Sequence, residues 1–274
     1  MKHKIDVMIS TRDRHTETCL LLQSLRTQSF QDFDIIIIDE SQTPILMNYP
    51  FITLVARLKL ENHCVKVIRN NVSGGVCYAR NMMIDEQMKN HTDADLCLRV
   101  DDDVILQPDF LQRLVNVIDK GFDLASGVVP LLGFPEHIRK IDTVLPVINY
   151  HELNDKGELS IRNDDCGFCY DKAEVLPTHQ FRTNCLYKYK LHTDGIRYPK
   201  NLTNVGFREE LHFSFQALIK GYKIGVDTGA IAYHTQTPSG GVRCTDYAQN
   251  VALDEETTNK WIKKQFDKKG DFLK

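Results

Sequence analysis

Residues 96–104 have the sequence Leu-Cys-Leu-Arg-Val-Asp-Asp-Asp-Val and place three adjacent carboxylates directly after an apolar run. An apolar segment that ends in acids predicts a buried strand that brings charge to one edge of a sheet. Asp101 and Asp103 alternate along an extended backbone and are expected to face one side, with Asp102 on the other. Two oxygen ligands on one face suit Mg²⁺ or Mn²⁺. The same triplet is also compatible with a solvated acidic turn, so the rest of the chain has to decide between the two.

The composition is that of an ordinary globular protein. Of the 274 residues, 42% are hydrophobic and 26% are charged. The net charge of −3 argues against a general electrostatic grip on nucleic acid. No apolar run approaches the ~18 residues that would indicate a membrane span, and the first residues lead straight into a strand pattern. We therefore expect a cytoplasmic protein without an integral membrane segment; its oligomeric state stays open.

The eight cysteines are scattered and do not resemble a disulfide framework. Cys166 and Cys169 form the only C-x-x-C pair, and no second pair follows at the spacing of a zinc finger. Whether this pair binds a metal stays open at this stage.

Apolar periodicity predicts alternating strands and helices along most of the chain. Solid β-branched runs such as 33–38 are typical of parallel strands that are covered on both faces. The alternation predicts an α/β fold with a mostly parallel sheet flanked by helices. The expected strands are 5–9, 33–38, 65–68, 96–100, 122–129, 223–226 and 230–234, and the expected helices are 16–27, 76–89, 111–118, 209–220 and 255–266.

Polar clusters follow four of the expected strands at the point where each strand ends, namely 11–14, 39–41, 70–75 and 101–103. In open α/β sheets, ligands bind at the carboxyl ends of the strands. The four clusters therefore predict a ligand site at one edge of the sheet. Between about residues 131 and 165 the periodicity weakens, which predicts a smaller loop-and-hairpin region beside that edge.

Five parts of the chain resemble, in order, the motifs of the family 2 glycosyltransferases, over roughly residues 4–235. The five parts are Val-Met-Ile-Ser-Thr-Arg-Asp-Arg (7–14), Ile-Ile-Ile-Ile-Asp-Glu-Ser (35–41), Asn-Val-Ser-Gly-Gly-Val-Cys-Tyr-Ala-Arg-Asn (71–81), Arg-Val-Asp-Asp-Asp (99–103), and the group Phe-Arg-Glu-Glu (207–210), Gly-Tyr-Lys-Ile (221–224) and Ala-Tyr-His (232–234). Of these, residues 35–41 are similar to the family's strand end V-V-D-D-x-S, residues 71–81 to its N-x-G-x-x-x-A-R-N motif, and residues 99–103 to its metal-binding D-x-D motif.

The resemblance implies a single GT-A (Rossmann-like) domain over 1–274. Its nucleotide-sugar-binding half would be 1–105, its acceptor-side half 106–240, and its C-terminal helical tail 241–274. It also implies metal-dependent, inverting transfer of a sugar from a nucleotide-sugar to an acceptor hydroxyl, with UDP as the usual nucleotide and GDP and dTDP as alternatives. The residues expected to bind the donor are Thr11, Arg14, Asp39, Ser41, Asn71, Gly75, Arg80, Arg99, Asp101 and Asp102.

The metal ligands implied by the resemblance are Asp103, Asp101 and His234, which would hold Mn²⁺ or Mg²⁺ against the donor diphosphate. A lone His is more often a structural residue, and Asp39 would equally suit the cap of a turn. For Arg80, a purely structural ion pair is an equal alternative to contact with phosphate.

The catalytic base implied by the resemblance is Glu210, with Glu209 beside it. This chain departs from the family pattern here, since Glu-Glu replaces the usual Glu-Asp. His212 and Gln216 replace a further acid and an arginine. Both glutamates would also be favoured at a helix N-terminus by the helix dipole alone, so their role stays open.

Two other functions remain as alternatives. A catalytically silent nucleotide- or sugar-binding protein would keep the fold without turnover. A nucleotidyltransferase would need a glycine-rich loop after the first strand, whereas residues 10–14 contain no glycine. The acceptor is left open among carbohydrate, lipid-linked and protein substrates, with Tyr150, His151 and Tyr170 expected near it, and a nucleic-acid partner is disfavoured by the charge.

Overall fold

The computed structural model describes residues 3–72, 74–89, 93–133, 150–153, 159–162, 173–181, 183–242, 246–270 and 272–273. The strands are β1 (Ile5–Thr11), β2 (Phe33–Asp39), β3 (Val65–Arg69), β4 (Leu96–Asp101), β5 (Val104–Leu106), β6 (Leu124–Val128), β7 (Tyr150–Leu153), β8 (Leu159–Arg162), β9 (Val175–Thr178), β10 (Cys185–Lys188) and β11 (Ile224–His234). The helices are α1 (His15–Arg26), α2 (Tyr49–Leu60), α3 (Val76–Lys89), α4 (Phe110–Asp119), α5 (Lys190–Thr193), α6 (Glu209–Ile219) and α7 (Tyr247–Lys269), with a 3₁₀ turn at Ile45–Met47.

The main sheet has the order β3-β2-β1-β4-β10-β6-β11-β5, and β9 pairs with β11. The first four strands in this order are parallel. Their register aligns Thr11 with Asp39 and Ser10 with Asp101, so the strands end side by side. The polar residues that follow them are thereby gathered at one edge of the sheet, as the strand-end clusters predict.

Helices cover both faces of the sheet, because side chains alternate along each strand. Ile5, Val7 and Ile9 face a core formed with α1, α2 and α4. Met8 and Cys97 face the opposite core, which includes side chains of α3 and α6. The predicted fold class, a mostly parallel α/β sheet flanked by helices, is therefore confirmed.

Several elements differ from the sequence prediction. The helix α2 was not predicted, although Asn48 caps it by accepting a hydrogen bond from the Phe51 amide at 3.0 Å. Pro50 lies in its first turn, where a missing N–H costs nothing. The strands β5, β9 and β10 were also not predicted, and all three run antiparallel to their neighbours.

Further along the chain, the two expected strands 223–226 and 230–234 are one continuous strand, β11. The last helix begins at Tyr247, eight residues earlier than predicted, and ends at Lys269. In the weakly periodic region, β7 and β8 pair as an antiparallel hairpin. Cys166, Cys169 and Tyr170 lie outside the described residues, and only the backbone of β7 is described at Tyr150 and His151.

Across the described ranges, none of the helices combines the length and the apolar character needed to traverse a bilayer.

Candidate active site

A cleft of about 420 Å³ opens at the carboxyl ends of β1 and β4. We call it the strand-edge cleft. Seven of the residues proposed from the sequence line it, namely Thr11, Arg14, Arg80, Asp101, Asp102, Asp103 and His234. The remaining lining residues are Ser10, Arg12, Glu40, Val76, Ala79, Val205, Gln236, Thr237, Gly241, Val242 and Tyr247.

The acidic triplet lies in this cleft, but its side chains do not alternate as expected. The strand β4 ends at Asp101, and Asp102 and Asp103 form a turn. Because the turn breaks the alternation, both Asp102 and Asp103 reach Arg14. The Arg14 Nη1 atom lies 3.0 Å from Asp102 Oδ1 and 2.9 Å from Asp103 Oδ2.

His234, at the end of β11, is placed beside Asp103 by the pairing of β11 with β5. Its Nε2 atom lies 3.1 Å from Asp103 Oδ2. The hydrogen bond to Asp103 raises the pKa of His234 against the opposing effect of burial. Burial favours a higher pKa for Asp103, but the bond from His234 and the charge of Arg14 bring that pKa below its usual value. The contact therefore favours the protonated form of His234 and the ionised form of Asp103.

Asp102 differs from Asp103 in its environment. Burial raises the pKa of Asp102 to about 7, although Arg14 and a hydrogen bond with Thr11 act in the opposite direction. Asp102 is thus partly protonated near pH 7, while the neighbouring Asp103 stays ionised.

Asp101 belongs to a second charged group, which lies on the face of the sheet covered by α3 and α6. Arg99, the residue two positions earlier on β4, is only 1% exposed. Its Nη2 atom donates to Glu209 Oε1 at 3.0 Å and to Glu210 Oε1 at 2.8 Å. Arg80, from α3, also contacts Glu209 and lies 3.4 Å from Asp101 Oδ1. Two buried arginines therefore join the end of β4 to the start of α6.

The start of α6 is held in place by the loop that precedes it and by α7. Asp254 of α7 is fully buried and accepts hydrogen bonds from the backbone amides of Thr203 at 2.6 Å and Phe207 at 2.8 Å. Gly75 adopts a φ of 84°, and a Cβ atom there would lie 2.5 Å from the Asn204 Cα atom. Gly75 therefore lets the loop pack closely on α3, which is a structural role and not direct contact with the cleft.

Other residues expected at the donor site lie beneath or beside the cleft. Asp39 is buried and accepts hydrogen bonds from the amides of Ser41 at 3.0 Å and Ile45 at 2.9 Å, as the cap of a turn would. Ser41 is also buried and accepts from the Asp13 amide at 2.9 Å. Asn71 accepts from Arg69 Nε at 3.1 Å. Together with Gly75, Arg99, Glu209 and Glu210, these residues do not line the strand-edge cleft.

Two parts of the cleft wall were not among the site residues expected from the sequence. Glu40, the residue after Asp39, lines it, and burial raises its pKa. The segment after β11 lines it too, because the Gly241 amide donates to the Arg12 carbonyl at 2.8 Å and draws this segment across the end of β1. Glu40 follows a predicted strand and was therefore accessible from the sequence, whereas no local pattern marked the segment after β11.

At one position in the cleft, the side chains present are suitable ligands for a divalent cation. Asp103 and His234 offer a carboxylate and an imidazole side by side, which are ligands that Mn²⁺ accepts. Within the described ranges, no three His, Cys, Asp or Glu side chains already form a joint metal site. Asp101 is turned toward Arg80 and Arg99 instead.

Several solved structures align with this chain over most of its length. GalNAc-T7 with UDP, GalNAc and Mn²⁺ aligns with a TM-score of 0.65 and 14% identity over 93% of this chain and 48% of that chain. The mannosyltransferase PcManGT from Pyrobaculum calidifontis, with GDP-Man and Mn²⁺, aligns at 0.59 and 13% identity, over 87% and 58%. Residues 1–349 of S. aureus TarS in complex with UDP-GlcNAc align at 0.59 and 17% identity, over 96% and 73%. The chain thus spans about half the length of the first two proteins.

The sheet order and these neighbours define the GT-A fold of glycosyltransferases. The chain belongs to glycosyl transferase family 2, whose model matches residues 6–169, more than half of its length. The family expected from the motifs, a glycosyl transferase family, is therefore confirmed. A search of curated protein sequences gives no significant match.

Proposed function

We propose that this chain is a metal-dependent, inverting glycosyltransferase that moves a sugar from a UDP-sugar to an acceptor hydroxyl. The observation that carries the proposal is a contact between two charged groups: the acids 101–103 at the strand-edge cleft, and Arg99 with Glu209 and Glu210 at the start of α6. Asp101 lines the cleft and is linked through Arg99 to Glu209 and Glu210 at the start of α6. A donor site and a candidate base are thereby joined by direct contacts.

The donor nucleotide would lie over the ends of β1 and β2, and its diphosphate would lie near the basic side of the cleft. Arg12, Arg14 and Arg80 line the cleft and provide positive charge for phosphate oxygens. Asp39 and Ser41 would act indirectly, because their hydrogen bonds shape the turn that presents Glu40. A UDP-sugar is supported by TarS and GalNAc-T7, whereas PcManGT was solved with GDP-Man.

Asp103 and His234 would hold a divalent cation, Mn²⁺ or Mg²⁺. Asp101, at the end of β4, would join them by leaving its contacts with Arg80 and Arg99. When bound, such a cation neutralises the charge that develops on the diphosphate leaving group. Two of the structural neighbours named above were solved with Mn²⁺.

Glu210 would take the proton from the acceptor hydroxyl, since inversion in one step needs a single base. Its side chain is 17% exposed, compared with 6% for Glu209, so Glu210 is the more accessible of the two carboxylates. Arg99 would act as a positioning residue that orients both. Under this proposal the halves 1–105 and 106–240 serve donor and acceptor, while Val242 and Tyr247 bring the tail to the cleft. The acceptor would be a carbohydrate, a lipid-linked sugar or a protein.

The test is thermal stability measured with UDP, GDP, dTDP and CDP, each with and without Mn²⁺. We expect stabilisation by UDP that requires the metal, because a ligand bound only to the folded state raises its stability. Asp103→Asn should abolish this stabilisation. Asp109→Asn is the matched control, since Asp109 pairs with Arg113 outside the cleft.

Turnover is tested separately, by release of UDP from UDP-sugars. Glu210→Gln should keep the metal-dependent stabilisation and lose turnover. If no nucleotide stabilises the chain in a metal-dependent way, the metal-dependent mechanism is wrong. If stabilisation occurs but no UDP-sugar is consumed with any acceptor class, the chain is a silent binding protein.

A further inference from the structure

A second cleft, of about 410 Å³, lies between α6, α7 and the segment 197–201. We call it the α6–α7 cleft. It shares no lining residue with the strand-edge cleft. Its lining includes three basic side chains, from Arg197, Lys200 and Lys220, and no acidic one. Asp85 lies 3.9 Å from the Arg197 guanidinium, so among the described residues the positive charge of the cleft that no salt bridge offsets comes from Lys200 and Lys220.

One wall of this cleft is aromatic and held in a fixed orientation. The Trp261 ring lies 4.4 Å from the His212 ring at an interplanar angle of 34°. His212 is buried, and its Nε2 atom is 3.0 Å from Thr258 Oγ1. Burial lowers the pKa of His212 to about 4, so its ring is neutral at pH 7. Trp261 is therefore supported by an uncharged partner and keeps part of its own surface at the cleft.

The polar groups of the cleft divide into those already bonded and those left for a ligand. Gln216 Nε2 donates to the Arg197 carbonyl at 2.7 Å, and Arg197 itself donates to the carbonyls of His192 and Ile196, so these two side chains maintain the fold. Within the described part of the chain, the side chains of Lys200, Asn201 and Gln265 have no hydrogen-bond partner.

We propose that the α6–α7 cleft binds an anionic saccharide. Trp261 offers an apolar face on which a sugar ring can pack. The amides of Asn201 and Gln265 can both donate to and accept from sugar hydroxyls. Lys200 and Lys220 supply cations for a carboxylate or sulfate on the sugar. The site does not depend on the identity of the catalytic base or of the donor.

This site lies close to the candidate base. Tyr198 lines the α6–α7 cleft, and the Arg80 guanidinium lies 5.4 Å from the centre of its ring. Arg80 in turn contacts Glu209. A saccharide bound in the α6–α7 cleft is thus separated from the charged group at the start of α6 by one layer of side chains.

Trp261 is the only tryptophan of the chain, so its fluorescence reports on this cleft alone. The experiment titrates the full chain at low salt with a glucuronate-containing tetrasaccharide, with its neutral glucose counterpart and with inorganic sulfate. We expect a saturable change in emission with the anionic saccharide. The change should weaken as salt is added, because exposed charges are screened.

The test variant is Lys200→Ala/Lys220→Ala, which should weaken binding by about fivefold or more, since exposed charge contacts are individually small. The matched control is Lys268→Ala/Lys269→Ala, which removes the same charge from exposed positions near the end of α7. Trp261→Ala, followed by calorimetry, should abolish binding while the chain stays folded by circular dichroism.

Three outcomes would overturn the proposal. Equal binding of inorganic sulfate would show that the cleft holds anions without reading a sugar. Equal binding of the neutral and the anionic saccharide to wild type, or undiminished binding of the anionic saccharide to the Lys200→Ala/Lys220→Ala variant, would remove the role of charge. No saturable signal with any of the three probes would mean that the cleft is not a saccharide site. None of these outcomes affects the UDP and Mn²⁺ experiment on the strand-edge cleft.

Discussion

The clearest quantitative prediction concerns Arg99→Met. Arg99 is almost completely buried, and its Nη2 atom lies within 3.0 Å of both Glu209 and Glu210. Removing one partner of a buried ion pair leaves uncompensated charge and costs ~3–5 kcal/mol. Arg80 still contacts Glu209 in the variant, so we expect the lower end, about 3 kcal/mol. For a chain of 274 residues that corresponds to a fall in Tm of roughly 5 °C.

The assay is urea unfolding of wild type, Arg99→Met and Arg113→Met. Arg113 is an arginine on α4 that pairs with Asp109 and lies 3.6 Å from Asp227. Its side chain is 33% exposed, so its removal should cost only about 1 kcal/mol. Adding Glu210→Gln to Arg99→Met should recover about 1–3 kcal/mol, because Glu210 loses its closest cation and keeps only Arg80, at 3.9 Å. Arg99→Lys should fall between wild type and Arg99→Met, since it keeps the charge but not the planar fork.

If Arg99→Met is as stable as Arg113→Met, or if adding Glu210→Gln destabilises it further, Arg99 does not neutralise these glutamates. In the variants that fold, turnover should fall while donor KM stays unchanged, because Arg99 orients the candidate base and does not touch the donor cleft. A change in KM alone would contradict that positioning role.

Three further predictions concern single residues. His234→Gln should reduce stability most below pH 6.5, and its difference from wild type should vanish as pH rises through the raised pKa of His234; a pH series of unfolding experiments measures this. Gly75→Ala should lower the free energy of unfolding by about 2–3 kcal/mol, because the residue has a positive φ and the new Cβ atom would lie 2.5 Å from Asn204 Cα. Gly121→Ala, which also has a positive φ but has open space around it, should lower the free energy of unfolding by only about 1 kcal/mol in the same assay. Glu210→Gln should lower the rate of transfer at least ~100-fold in steady-state kinetics, and should leave Mn²⁺-dependent stabilisation by UDP intact.

The outcomes that would contradict these three are equally specific. A His234→Gln difference that grows at high pH would show that His234 is not held charged by Asp103. Equal losses of unfolding free energy in Gly75→Ala and Gly121→Ala would show that the close approach to Asn204 does not contribute to the effect at Gly75. Retained turnover in Glu210→Gln would assign the base to Glu209 or to another group.

The sequence by itself determined the fold class and the position of the cleft. The apolar runs of β1, β2 and β4 and the polar residues at their ends are local patterns, so they predict which side chains meet at the carboxyl edge. Thr11, Arg14 and the acids 101–103 were expected there for that reason, whereas Arg80 was expected there from the family resemblance. The structure brings all of them to the strand-edge cleft.

Only the tertiary structure decided which of these charges pair. Arg99 and Glu210 are 111 residues apart along the chain, and no local pattern shows that they make a 2.8 Å contact. Asp39 looks like a ligand residue in a strand-end motif, yet its two carboxylate oxygens are taken by backbone amides of the next turn. Periodicity reports which face of an element is buried, whereas pairing depends on how distant elements are docked. The roles of Arg99, Asp39 and the α6–α7 cleft therefore follow from packing between elements that are remote in sequence.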